Sequence, residues 1–128
     1  MIKGIGIDVV KIPKIEKSIN DYSERFLNRI YTEREMEYCG ARGNPAIHYA
    51  GTFAAKEAAY KSISTVIDVL RWKEIEVCRN VEGRPRIALH GQTFELCAKA
   101  GIAEILVSIS HSEDAAVAQC IALSETGR

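Results

Sequence analysis

The chain has 128 residues, and 47% of them are hydrophobic, so it has the length and apolar content of one domain with a substantial core. Its 17 Lys and Arg residues equal its 17 Asp and Glu residues, which gives a formal net charge of zero. This balance argues against a nucleic-acid or membrane-surface binder, and we expect any recognition by charge to be local.

The four cysteines are Cys39, Cys78, Cys97 and Cys120. They form no C-x-x-C pair and no histidine cluster accompanies them, so we expect reduced, mostly buried thiols rather than a zinc site. The apolar opening is too short for a signal peptide, and no run approaches the length of a membrane span. We therefore expect a cytoplasmic protein.

The chain opens with a predicted strand and a short helix. Residues 2–10 combine β-branched residues with Gly4 and Gly6, which predicts a strand that a second backbone or a ligand approaches closely. We expect this strand to end at the carboxylate of Asp8. After Pro13, isoleucines at helical spacing predict a short amphipathic helix.

Three further helical segments are predicted before the middle of the chain. Residues 22–40 contain two of them, and the second opens at Thr32 with Glu35 in a capping-box spacing and closes before Gly40. The third begins at Pro45 and is rich in alanine, which predicts the long central helix of a small domain.

The second half of the chain alternates strands with one helix. Residues 72–80 and 84–91 alternate apolar and polar side chains around a glycine-containing turn, which predicts an antiparallel hairpin. Residues 92–102 predict a helix ended by glycine. Residues 104–112 and 114–123 predict a second hairpin.

This order of elements predicts an α+β fold. We expect five strands in a largely antiparallel sheet, with about four helices packed on one side. No internal repeat, low-complexity segment or linker interrupts the pattern, so residues 1–128 are expected to form a single domain.

Two acidic residues and one lysine are candidates for chemistry at the central helix. Glu57 and Lys61 lie four residues apart on one helical face, where they form either an ordinary surface ion pair or a site that meets a phosphate. Asp8 either caps the following helix or binds a hard cation. Asp8 and Glu57 together suit Mg²⁺, which often uses only one or two carboxylates.

His111 lies between Ser110 and Ser112 after a predicted strand. It is either a structural histidine or a group that contacts phosphate or transfers a proton, since its intrinsic pKa is near neutral. The two serines either donate hydrogen bonds to a ligand or shape the turn.

Four segments together resemble the holo-acyl-carrier-protein synthase family of 4'-phosphopantetheinyl transferases. They are GIGIDVVKIPKIEK at 4–17, FAAKEAAYKS at 53–62, WKEIEV at 72–77 and SISHSEDAAVAQ at 108–119. The resemblance implies a Mg²⁺-dependent enzyme with this family's fold. Such enzymes move the phosphopantetheine arm of coenzyme A onto a serine of apo acyl carrier protein, release adenosine 3',5'-bisphosphate and serve fatty acid biosynthesis. It also implies a homotrimer with active sites between subunits.

The resemblance assigns roles to the candidate residues. Asp8 and Glu57 match the family's metal-binding carboxylates, and Lys61 matches the lysine that neutralises the phosphates. His111 matches a histidine at the coenzyme A site. These assignments agree with phosphoryl transfer, which depends on positioning and charge stabilisation. The base that deprotonates the carrier serine is either Glu57 itself or a metal-bound water.

The hairpin turn is a second place where the resemblance implies substrate binding. Gly83, Pro85 and Arg86 match the family segment near the nucleotide, although the same residues also suit a plain turn. Thr52 stands where many relatives carry an arginine, so one cationic contact to coenzyme A is either missing or supplied by Arg42 or Arg86. The loop after the central helix also lacks the glycines usual in the family.

Positive charge is concentrated in the first quarter of the chain, at Lys11, Lys14, Lys17, Arg25 and Arg29. A solvated face is the ordinary interpretation. The alternative is a docking patch, which speeds encounter with an acidic protein. The resemblance favours the patch, since Lys14 with Lys17 and Arg25 matches the docking surface for acyl carrier proteins, which are acidic.

Two other classes of function compete with the enzyme. A noncatalytic coenzyme A or nucleotide-binding module predicts binding without transfer. A structural trimeric scaffold predicts that Asp8 and Glu57 respond to no metal.

Overall fold

The computed structural model describes residues 1–125, which form five strands, five α-helices and one short 3-10 helix. In chain order they are β1 (Ile2–Lys11), α1 (Ile12–Tyr22), α2 (Glu24–Ile30), α3 (Glu33–Gly40), α4 (Pro45–Ser62), the 3-10 helix (Trp72–Glu74), β2 (Ile75–Arg79), β3 (Pro85–Leu89), α5 (Gly91–Lys99), β4 (Ile102–His111) and β5 (Ala115–Ser124). The predicted α+β class is confirmed, with five helices in place of about four.

The five strands form two antiparallel sheets, which differs from the single sheet expected. One sheet has the order β1-β5-β4, and the other is the β2-β3 hairpin. Strands β3 and β4 lie beside each other without forming a ladder, and a groove of about 440 Å³ runs along part of their length. The hairpin is therefore attached to the main sheet by side-chain packing and not by backbone hydrogen bonds.

Helix α4 packs across one face of the three-stranded sheet, and two glycines of β1 make this possible. A β-carbon at Gly4 would collide with the carbonyl oxygen of Ser62, and one at Gly6 would collide with that of Ala58. Helix α4 contributes a row of fully buried alanines to this packing. Close packing of this kind brings the last turns of α4 against β1, where the candidate residues lie.

A buried ion pair joins α3, α4 and the hairpin. Thr32 and Glu35 form the predicted capping box, which is confirmed. The Glu35 carboxylate also lies 2.7 Å from the ammonium of Lys56 and accepts a hydrogen bond of 2.7 Å from the Val77 amide. Lys56 is completely buried and also donates to the Trp72 carbonyl oxygen.

The opposite face of the three-stranded sheet is apolar and open. Ile5, Ile7 and Val9 of β1 are each about 60% exposed, and Ile121 and Leu106 continue the row from Ile5 across β5 and β4. The helices are thus gathered on one side, as predicted.

Two further expectations concern the cysteines and membrane spans. All four cysteines are free and buried, as expected. In the part of the chain that the structure describes, no helix combines the length and apolar character of a membrane span.

Candidate active site

Asp8, Glu57 and Lys61 lie together where α4 crosses β1. Asp8 alternates with Gly4 and Gly6 along β1, so its side chain points to the same face as α4. The Lys61 ammonium lies 3.2 Å from the Asp8 carboxylate and donates a second hydrogen bond of 3.1 Å to the Ile7 carbonyl oxygen. The predicted neighbours in space are therefore brought together by the close approach of strand and helix.

The electrostatics of this cluster reflect two neighbouring carboxylates. Burial raises the pKa of Glu57, the negative charge of Asp8 raises it further, and the Lys61 ammonium lowers it. The Lys61 side chain is 47% exposed. A ligand from solvent therefore has access to a site where two acidic groups repel each other.

The structure excludes one of the two interpretations of Asp8. Strand β1 continues to Lys11, so the expectation that the strand ends at Asp8 is wrong. Helix α1 has Lys11 as its N-cap, and no side chain caps it. Asp8 is thus no capping residue, and its nearest ionic partner is Lys61.

The carboxylates fit a hard divalent cation. Among residues 1–125, no group of three Asp, Glu, His or Cys side chains is placed to hold a metal. Asp8 and Glu57 offer oxygen ligands only, and Mg²⁺ is commonly bound by one or two carboxylates with water and substrate phosphates. Repulsion between the carboxylates also favours a cation beside them.

His111 lies in a different pocket, of about 140 Å³, on the hairpin side of α4. It shares this pocket with His48, Arg79, Gly83 and Pro85. The predicted substrate-binding residues His111, Gly83 and Pro85 are therefore neighbours.

Two other candidate residues, Arg86 and Ser112, do not line this pocket. Arg86 lines the separate groove between β3 and β4. Ser112 donates to the side chain of Asp114 and to a backbone carbonyl, so it shapes the β4–β5 turn.

Helix α4 separates the two groups of candidate residues. Successive residues of an α-helix turn by about 100°, and the stripe that includes Gly51 and Ala58 faces the sheet. Glu57 and Lys61 lie on one side of this stripe, and Thr52 lies on the other with His48. Within one chain, the acidic cluster and the histidine pocket therefore flank opposite sides of the same helix.

Sequence reasoning missed the cluster beside Thr52. Arg79, the last residue of β2, donates a hydrogen bond of 3.1 Å to the Thr52 hydroxyl. Its guanidinium carbon also lies 4.5 Å from the centre of the Tyr38 ring, and that of Arg42 lies 4.0 Å from the same centre. The guanidinium that donates to Thr52 thus comes from Arg79, and neither Arg42 nor Arg86 forms a hydrogen bond with the threonine. Strand alternation places Arg79 on the same face as the buried Ile75 and Val77, but the sequence gave no signal that Thr52 lies beside its guanidinium.

The basic residues of the predicted docking patch lie on exposed faces of α1 and α2. Ile12 and Ile15 face the core, while Lys14 and Lys17 point outward. Lys17 is paired with Asp21, one turn later in the same helix. Arg25 is exposed near the start of α2.

Comparison with known proteins identifies the family. The model of the 4'-phosphopantetheinyl transferase superfamily matches residues 4–120. The chain belongs to this superfamily. It is 38% identical over 125 residues to the holo-[acyl-carrier-protein] synthase of Natranaerobius thermophilus, with 98% of this chain and all of that protein covered.

Solved structures of transferases show the same architecture. The holo-[acyl-carrier-protein] synthase of Neisseria meningitidis superposes with a TM-score of 0.87 at 29% identity, covering 97% of this chain and 100% of that one. The Bacillus anthracis synthase in complex with coenzyme A (3',5'-ADP) has a TM-score of 0.78 and 34% identity, covering 98% and 99%. The transferase fold predicted from the sequence is confirmed.

Proposed function

We propose that this chain is a holo-[acyl-carrier-protein] synthase, with residues 1–128 as one transferase domain. It transfers the 4'-phosphopantetheine arm of coenzyme A to a serine of apo acyl carrier protein, releases adenosine 3',5'-bisphosphate and serves fatty acid biosynthesis. The observation that carries this function is the open cluster of Asp8, Glu57 and Lys61, in a chain that belongs to the transferase superfamily.

Asp8 and Glu57 hold Mg²⁺ in this proposal. When bound, the metal polarises the phosphate oxygens of the substrate and neutralises charge that develops during transfer. The protein contributes two carboxylates at fixed positions, one on β1 and one on α4. The close packing of strand and helix through Gly4 and Gly6 sets their spacing.

Lys61 supplies a positive charge to the pyrophosphate of coenzyme A. Its ammonium is anchored by the Ile7 carbonyl oxygen and contacts Asp8, yet almost half of its side chain remains exposed. A cation that is positioned before the substrate arrives stabilises developing negative charge without reorganisation. The nucleophile is the serine hydroxyl of the carrier protein.

The distance between the acidic cluster and the histidine pocket supports a site shared between protomers, as in a trimer. The histidine pocket and the acidic cluster lie on opposite sides of α4, so one coenzyme A is expected to lie between the acidic cluster of one protomer and the pocket of the next. In this arrangement His111, Gly83 and Pro85 bind the nucleotide end. Arg86, which lines a different groove, contacts substrate from the rim of the same hairpin.

The open sheet face provides the surface for assembly. Ile5, Ile7 and Val9 expose apolar side chains in one continuous row, which is unusual on a small protein that has no partner. A second and third copy of the chain cover this face in the proposed homotrimer. A pocket of about 350 Å³ is lined by Ile5 and Ile7 of this face and by Lys61, which supports an interface beside the acidic cluster in the proposed trimer.

The acidic carrier protein docks on α1 and α2. Lys14 presents exposed positive charge in the first turn of α1, just after β1, the strand that carries Asp8, and Arg25 presents it at the start of α2. Lys17 contributes less, because Asp21 already pairs with it. Charge of this kind mainly increases the rate of encounter and selects the partner. The four free thiols fit the reducing cytoplasm in which we expect the enzyme to act.

The decisive experiment follows the intact mass of apo acyl carrier protein mixed with the purified chain and coenzyme A. With Mg²⁺, we expect a gain of one phosphopantetheine, and with a chelator we expect none. Coenzyme A binding without any gain in mass would instead establish the noncatalytic module.

A further inference from the structure

Two arginines converge on one tyrosine beside the histidine pocket. The guanidinium carbons of Arg42 and Arg79 lie 4.0 Å and 4.5 Å from the centre of the Tyr38 ring. Each contact is a favourable cation–π interaction, but two like charges this close repel each other. Among residues 1–125, no carboxylate forms an ion pair with either arginine. The cluster therefore has an excess of positive charge that no described residue neutralises.

Arg79 is fixed in place by a buried hydroxyl. It donates a hydrogen bond of 3.1 Å to Thr52, which is 1% exposed and whose hydroxyl also lies 3.5 Å from the Cys39 sulfur. In the described part of the chain this is the one hydrogen bond that its guanidinium makes. Most of its N–H donors are thus available to a ligand, in the planar arrangement that suits phosphate.

The cluster opens directly into the pocket. Arg79 itself lines the pocket with His48 and His111, and no acidic residue contributes to the lining. Gly83, also in the lining, lies beside Tyr38, because a β-carbon there would be 3.4 Å from the tyrosine hydroxyl.

The side chain of His48 lies close to positive groups, and its pKa is below the ordinary value. This pKa is lowered by burial first, and then by the positive charges of Arg79, Arg42 and His111. The pocket is therefore electropositive on the side where the arginines lie, and a bound anion would relieve their repulsion.

We infer that Arg79, held by Tyr38 and Thr52 and assisted by Arg42, binds the phosphomonoester on the ribose of coenzyme A. This inference rests on the proposed function. The pyrophosphate of the same molecule is assigned to Lys61 on the other side of α4, so the ribose phosphate is the anionic group left for the arginine cluster. Arg79 is then the residue that distinguishes coenzyme A from its dephosphorylated form.

The test compares two ligands, adenosine 3',5'-bisphosphate and adenosine 5'-monophosphate, by titration calorimetry with the full chain. Arg79→Met should reduce the preference for the bisphosphate about 10- to 100-fold, since hydrogen bonds to a charged group are lost. Affinity for the monophosphate should stay unchanged. Arg42→Met should reduce the preference less, and Arg84→Met, a control on the same hairpin, should leave it intact.

Arg79→Lys keeps the inference testable if the methionine variant fails to fold, because it retains the charge while losing the planar donors. It should give an intermediate preference. An unchanged preference in every Arg79 and Arg42 variant that folds, or equal losses for both ligands, would overturn the inference.

Transfer to the carrier protein by the wild-type chain is measured separately. If the wild-type chain transfers but the Arg79 variants keep the preference for the bisphosphate, only the role of Arg79 is refuted. If the preference for the bisphosphate depends on Arg79 but the wild-type chain does not transfer, the proposed function is refuted and the phosphate site stands.

Discussion

The Lys61 ammonium lies 3.2 Å from the Asp8 carboxylate, although the two residues are 53 positions apart in the sequence. Glu57 does not form the ion pair with Lys61 that their helical spacing allows, since Lys61 instead reaches β1. Lys61 therefore links α4 to β1, the two elements that carry the carboxylates. Glu57 is left without this ion pair, so in the proposed site its carboxylate is available to a cation.

Replacing Glu57 by Gln should lower transfer more than about 100-fold, because the charge of a proposed metal ligand is lost while side-chain size is nearly kept. The mass of the carrier protein over time measures the rate. Glu95→Gln, on the exposed side of α5, is the matched control and should transfer at the wild-type rate. Full activity of the Glu57 variant would remove the proposed metal site.

Replacing Gly6 by Ala should destabilise the fold by about 1–3 kcal/mol, since the added carbon meets the backbone of α4 at Ala58 and forces helix and strand apart. Urea unfolding measures this loss. Gly43→Ala is the control, because a β-carbon there meets nothing within 4 Å. Equal stabilities of the two variants would show that the packing of α4 on β1 tolerates the shift.

Local patterns predicted most elements of this fold, and contacts between distant segments account for what was missed. The capping box at Thr32 and the two hairpins follow from spacing and alternation, which neighbouring residues determine. The burial of Lys56 depends on Glu35 in another helix, and the position of Arg79 depends on which side of the hairpin meets α4. Alternation puts Arg79 on the face of Ile75 and Val77, but no local pattern shows that its partner is Thr52 or that the partner of Lys56 is Glu35.

For the candidate site as well, the sequence predicted some features and only the fold shows the others. Asp8 was recognised as an unusual carboxylate in an apolar strand, but residue spacing alone left its role open between a cap and a ligand. The structure excludes the capping role, because the N-cap position of α1 is occupied by Lys11 and no side chain forms a capping hydrogen bond there. The separation of His111 from Glu57 by the width of α4 has no counterpart in the sequence, since it arises only when the helix crosses the sheet.

Replacing Lys14 by Glu should raise the KM for acyl carrier protein roughly 3- to 10-fold, because a positive charge of the proposed docking patch is reversed at an exposed site. The effect should shrink as salt is added. Binding of coenzyme A, measured by calorimetry, should stay unchanged. Lys99→Glu on α5 is the control, and an equal effect there would argue against a docking patch.

Replacing Ile5 by Lys should break the proposed trimer, since a charge would then lie on the exposed apolar row that we assign to its interface. Light scattering should show the mass falling to the 14.2 kDa of one chain. Transfer should fall with it, because each site of the proposed trimer uses residues of two protomers. Val81→Lys places the same charge at the exposed hairpin tip and should leave the assembly intact. A wild-type chain that is already monomeric and active would contradict the shared site.

Replacing Lys56 by Met should cost about 3–5 kcal/mol of stability, because the Glu35 carboxylate would remain buried without its cation. Burial already raises the pKa of Glu35 and lowers that of Lys56, so each group keeps its charge mainly through the other. Adding Glu35→Gln to the Lys56 variant should recover part of the loss, since a neutral amide is easier to bury. Urea unfolding of the two single variants and the double variant measures the coupling. Additive losses would mean that Glu35 contributes through the Thr32 cap and Val77 alone.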